Sequence, residues 1–155
     1  MSEHRAIIRW KRTGANFLKG QFSREHTWSF DGGVTVTASA SPSVVPAPYS
    51  NPAGVDPEEA FVASLSSCHM LTFVFLASRQ GYQVESYEDE AVGTMTKNER
   101  GAFWISTVTL RPTIVYGGDK TPSAEDEARL HHGAHEQCFI ANSVKTEVTV
   151  TPRAR

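Results

Sequence analysis

Two cysteines are the residues of this chain best suited to covalent chemistry: Cys68 in SLSSCHMLTFVF and Cys138 in AHEQCFIANS. A cysteine is either a small core hydrophobe or, as thiolate, a nucleophile and redox centre. Local surroundings do not decide between the two. An apolar run raises a thiol pKa, His69 is adjacent but lies about 100° away round a helix, and no Lys or Arg occurs between Glu25 and Ser78. If Cys68 is a nucleophile, its stabilising cation must come from elsewhere in the fold. The pair suggests a couple in which one thiol attacks and the other resolves, although two unrelated buried cysteines would read the same. His131, His135 and Cys138 also share one helical face at i, i+4 and i+7, which is acceptable zinc geometry. No fourth ligand, CxxC or HExxH frames that site, and a polar, solvated helix face is the commoner origin of such a pattern.

The elements that must position these residues belong to one domain of 155 residues, large enough for a core without staples or metals. A net charge of −2 leaves no basic footprint, which argues against nucleic acid and anionic membranes as partners. Charges within the first five residues, and no apolar run before Lys11, argue against a secretory signal. A cytoplasmic location is therefore expected, where a structural disulfide is disfavoured. Ala60 to Ser78 carries no charge and approaches bilayer-spanning length. Its serines, Thr72 and His69 fit better a helix enclosed by protein.

Residues 4–12, 17–30 and 33–41 have the β-branched, aromatic and alternating composition of strands, with Asp31-Gly32-Gly33 as a hairpin turn. The proline-rich stretch 42–57 reads as an irregular connection. A long helix then begins with Asp56 as N-cap, Pro57 in its first turn and Glu59 completing a capping box, and it stops at Gly81. Strands are expected at 83–97 and 102–116, a second helix from Thr121-Pro122-Ser123 to Gln137 or Cys138, and a last strand at 144–151. The order βββ-α-ββ-α-β is an α+β pattern, because strands cluster rather than alternate with helices.

The blocks VDPEEAFVASLSSCHMLTFVFLAS, FSREHTW and AHEQCFIANSVKTEV closely resemble the OsmC/Ohr family of organic hydroperoxide reductases, over about residues 5–150. SSCHM is nearer the OsmC-like branch. The resemblance implies a long central helix packed on an antiparallel-rich sheet, an intertwined homodimer, and a two-cysteine thiol peroxidase without metal or haem. By motif, Cys68 is similar to the peroxidatic cysteine, Cys138 to the resolving one, Glu58 to the family's glutamate and Arg24 to its arginine, with Arg9 and Arg12 as substitutes. It also implies a Cys68–Cys138 disulfide re-reduced by a lipoyl-type or other small dithiol, in oxidative and osmotic stress defence. On one continuous helix, ten residues separate Glu58 and Cys68 by about 15 Å and about 80°. The glutamate therefore belongs to a bent helix or to a neighbouring chain, and a two-fold dimer makes the second natural. Phe61, Leu71, Phe73 and Phe75 could wall an apolar substrate site, though core packing explains each as well. The competing function is a non-enzymatic protein binding a small apolar ligand at the dimer interface.

Overall fold

Within Met1–Ala60, three short strands form an antiparallel sheet: β1 (Ala6–Arg9), β2 (His26–Phe30) and β3 (Thr35–Ala38), in that order. The computed structural model describes residues 1–14 and 16–153. The hairpin at Asp31–Gly33 closes as expected: Phe30 N–H donates to Val34 O at 2.9 Å, and Gly33 sits at φ 87°. The strand expected over 17–30 begins only at His26. Upstream, Phe17–Lys19 makes a 3-10 turn, and Gly20 at φ 74° donates to Phe17 O. Aromatic packing takes over the role of the ladder there, with ring centroids of Trp10, Phe17 and Phe22 4.5–6.0 Å apart.

Helix α1 (Pro57–Arg79) starts in this first unit and continues through the second, Phe61–Arg155. Its N-terminus is the capping box read from the sequence: Glu59 N–H donates to Asp56 Oδ1 at 2.7 Å and Asp56 N–H to Glu59 Oε2 at 3.3 Å. At the other end Gly81 adopts φ 79° and Tyr82 N–H reaches Ala77 O, while Lys120 Nζ donates to Gln80 O at 2.7 Å. Those bonds satisfy carbonyls that the helix leaves open.

The two long strands expected next are four. They are β4 (Gln83–Asp89), β5 (Val92–Lys97), β6 (Phe103–Leu110) and β7 (Pro112–Gly117). β4 pairs with β7 and β5 with β6, both antiparallel, in separate sheets. The break has an identifiable cause. The Asp89 carboxylate accepts from Arg111 N–H at 2.6 Å and from the Ser66 hydroxyl, diverting the backbone where the ladder would continue. Buried Pro112, which has no N–H, follows directly.

Helix α2 (Ala124–Gln137) is capped by Ser123, whose hydroxyl accepts from Asp126 N–H while Asp126 reaches back. β8 (Glu147–Val150) then joins β6 in parallel, Thr107 opposite Glu147. Two apolar clusters fill this unit. Phe73, Ala77, Tyr82, Ile114, Leu130 and Ala134 form one; Leu65, Val108 and Leu110 form the other. Of 23 residues, α1 buries Leu65, His69, Phe73 and Ala77, one stripe at four-residue spacing. By length and composition α1 could cross a membrane, with a mean hydropathy of 1.8. Here its buried stripe lines a protein core.

Candidate functional site

Cys68 lies midway along α1, half-buried, and Cys138 caps the C-terminus of α2, 1% exposed. Both thiols are free, and they are close enough for Cys68 to perturb the Cys138 thiol. Burial, and then the Cys68 partner, push the Cys138 thiol up to about 11, opposed by Ala141 N–H donating to its Sγ at 3.4 Å. Cys138 is thus a neutral, water-shielded thiol. The chain around it is fixed by Asn142, whose side-chain amide donates to Glu136 O and Cys138 O at 2.8 and 2.9 Å. Thr72 Oγ1 donates to Cys68 O at 2.9 Å.

A groove of about 570 Å³ is lined by Leu71, Thr72 and Phe75 of α1 and by Glu136, Gln137, Phe139 and Asn142 at and beyond the end of α2, with neither cysteine in its wall. Its apolar members are strongly exposed: Leu71 59%, Phe75 58% and Phe139 84%. The four candidate wall residues therefore divide. Phe73 is core and Phe61 packs half-buried against the second cluster, whereas Leu71 and Phe75 face open space.

Arg24 belongs to the first unit. Its Nη1 donates to Gly20 O at 2.7 Å and Phe22 O at 2.5 Å, and its guanidinium lies 3.7 Å from the Phe22 ring centre. Those contacts fix the planar fork without consuming its charge. Around it an apolar pocket of about 470 Å³ is walled by Ile8, Trp10, Phe17, Phe22, His26 and Pro57, among others. Glu58 is half-buried near the start of α1. Among the described residues Arg24 and Glu58 form no ion pair. α1 is helical throughout Pro57–Arg79, so Glu58 and Cys68 stand about 15 Å apart along its axis. Arg9, one proposed substitute, donates to Ser29 Oγ at 3.3 Å.

Sequence reasoning missed the histidines. His131 is not on a solvated face: it is 4% exposed, and its Nδ1 lies 3.0 Å from Nε2 of His69, itself 1% exposed. The rings meet edge to edge, their planes within 13° of parallel and their centroids 5.3 Å apart. Among the described residues, no group of His, Cys, Asp and Glu side chains is arranged to hold a metal ion. The available signal was spacing, since His69 shares the four-residue stripe with Leu65, Phe73 and Ala77.

Burial lowers both imidazoles to about 4; His131 and His135 add to the effect on His69, and Asp89 opposes it. Unfolded histidine titrates near 6.5, so between pH 6.5 and 4 the unfolded chain binds protons that the folded chain refuses. Stability therefore falls as pH drops through that window, by about 2–3 kcal/mol per histidine at pH 4.5. Urea midpoints at pH 7 and pH 4.5 measure this. The difference should shrink in His131→Leu, and an equal acid loss in that variant would refute the assignment.

The comparisons with known proteins follow the same lines. The OsmC-like protein family model matches residues 50–153. The fold is similar to that of an OsmC-like protein of unknown function from Vibrio cholerae, at 55% identity over 99% of this chain and 100% of that one, TM-score 0.96. It is also similar to the organic hydroperoxide resistance protein OhrB of Bacillus subtilis, at 20% identity over 98% of each chain, TM-score 0.68. An organic hydroperoxide resistance protein from Elizabethkingia anophelis matches at 20% identity over 100% of this chain and 98% of that one, TM-score 0.72. A search of curated protein sequences finds no match. The α+β fold, with two helices and antiparallel-rich sheets, is that of the OsmC/Ohr structures, and the chain belongs to the OsmC-like protein family.

Proposed function

We propose that the protein is a thiol peroxidase that reduces organic hydroperoxides to alcohols through its two cysteines. The observation that carries this reading is the adjacency of two free thiols, Cys68 within α1 and Cys138 at the end of α2. The Cys68 thiolate attacks the outer oxygen of ROOH. The O–O bond breaks, ROH leaves after taking a proton, and Cys68 becomes a sulfenic acid. Cys138 then displaces the sulfenic oxygen as water and closes a Cys68–Cys138 disulfide. A dithiol of lipoyl or similar type reduces that disulfide by exchange, ending as its own disulfide.

The groove formed by Leu71, Phe75 and Phe139 suits an alkyl or aryl peroxide better than hydrogen peroxide, because apolar surface rewards only a substrate that can bury itself there. Arg24 serves as the cation that the Cys68 helix lacks, and Glu58 as its orienting carboxylate, both brought to Cys68 across a two-fold homodimer. Support for a dimer comes from α1: its buried residues form a single stripe, and large apolar side chains stand exposed beside it. A second copy is the natural cover for such a face.

The direct test mixes reduced protein with one equivalent of tert-butyl hydroperoxide and follows tert-butanol and the intact mass. Loss of two hydrogens per chain, mapped to Cys68–Cys138, is expected within the dead time of alcohol release. Alcohol formation without that disulfide would refute the two-thiol scheme. A second reading is favoured by the aromatic pocket around Arg24: a small apolar ligand held there without turnover. It requires peroxide consumption no faster than that of free cysteine.

A further inference from the structure

The hydrogen-bonded imidazoles of His69 and His131 have no part in the chemistry just described. Burying them is costly. His69 Nδ1 and His131 Nε2 are both enclosed with no partner, and an unsatisfied buried polar atom is destabilising. Their location is specific. His69 directly follows Cys68 on α1, and His131 precedes Cys138 by two turns on α2. On α1, His69 falls between Leu65 of one apolar cluster and Phe73 of the other, and the Phe73 ring centroid lies 4.4 Å from that of His131.

Apolar contacts around this seam are non-directional, so they allow one helix to slide on the other at small cost. A hydrogen bond between two rings at 3.0 Å does not, because it is satisfied at one register only. Single buried polar pairs are the best-attested device for fixing helix register at some expense in stability. We propose that His69 and His131 are positioning residues that lock the Cys68 helix against the Cys138 helix in the register from which the two sulfurs can join.

This role rests on the two-thiol reading of the site, yet it can be measured without peroxide. The Cys68–Cys138 disulfide is equilibrated with mixtures of reduced and oxidised dithiothreitol. Forming the protein disulfide sends two electrons and two protons to the reagent. His69→Leu and His131→Leu are expected to lower that equilibrium constant at least tenfold. His69→Gln places an amide where Nε2 was, and His131→Asn places one where Nδ1 was; both should stay within threefold of the parent. His69→Asn and His131→Gln keep an amide but misplace it, and should behave like the leucine variants. These four keep the test alive if leucine prevents folding. Equal constants across the series, or a loss in the matched amides as large as in the misplaced ones, would overturn the proposal. Failure of the peroxidase reading looks different: no alcohol from peroxide while the disulfide equilibrium still responds.

Discussion

Cys68→Ser is expected to lower organic hydroperoxide consumption by about a thousandfold or more, to the level of buffer and dithiol alone. Serine preserves the shape of the site but offers no thiolate at neutral pH, and removing a covalent nucleophile costs several orders of magnitude in other enzymes. Cys138→Ser should behave differently. The first peroxide is still reduced at a rate within a few-fold of the parent, because the attack involves Cys68 alone. Without added thiol the sulfenic acid then has no partner and advances with a second peroxide to sulfinic acid, two oxygens heavier than the thiol. Stopped-flow peroxide consumption with intact-mass analysis separates the two variants. Parent-like turnover in Cys68→Ser would end the proposal, and reversible cycling in Cys138→Ser would remove Cys138 from it. Neither outcome would reflect unfolding, since each requires a protein that still turns over peroxide.

Phe73→Ala should cost about 3–5 kcal/mol, the usual range for deleting a buried phenyl ring. Domains of this size have a net stability of about 5–15 kcal/mol, so the loss is a large part of the whole. Phe73 is fully buried, packs with Ala77, Tyr82, Ile114, Leu130 and Ala134, and covers one face of His131. Its removal should therefore also loosen the imidazole pair. Phe75, two residues on and 58% exposed, makes a sharp contrast. Phe75→Ala should cost less than about 1 kcal/mol of intrachain packing. A larger loss that shrinks on dilution would instead report a partner subunit covering it. Urea titrations of both variants at two protein concentrations read these effects. A cost below about 1 kcal/mol for Phe73→Ala would contradict the core described above.

Much of the fold was legible in local chemistry. Asp56, Pro57 and Glu59 announce the start of α1 because a helix N-terminus has donors that only such side chains satisfy, and Gly81 ends it because the left-handed conformation suits glycine. Ser123 and Asp126 do the same for α2. The 17–30 strand and the two long strands were misjudged for a shared reason. Strand propensity says which residues suit a ladder, but not where a distant group will interrupt it. Asp89 breaks β4 from β5 through partners at Ser66 and Arg111, 23 and 22 residues away.

The site divides in the same way. Sequence alone determined the residue types, the helices that carry Cys68 and Cys138, and the lack of any cation near Cys68 along the chain. Those follow from local periodicity and composition. Only the tertiary structure decided that the two thiols are neighbours, that Leu71 and Phe75 face a groove while Phe73 is core, and that His69 turns inward to meet His131. The physical reason is that a contact between residues 62 or 70 positions apart depends on how helices and sheets stack, and that is set by the summed packing of many side chains rather than by any short stretch of them.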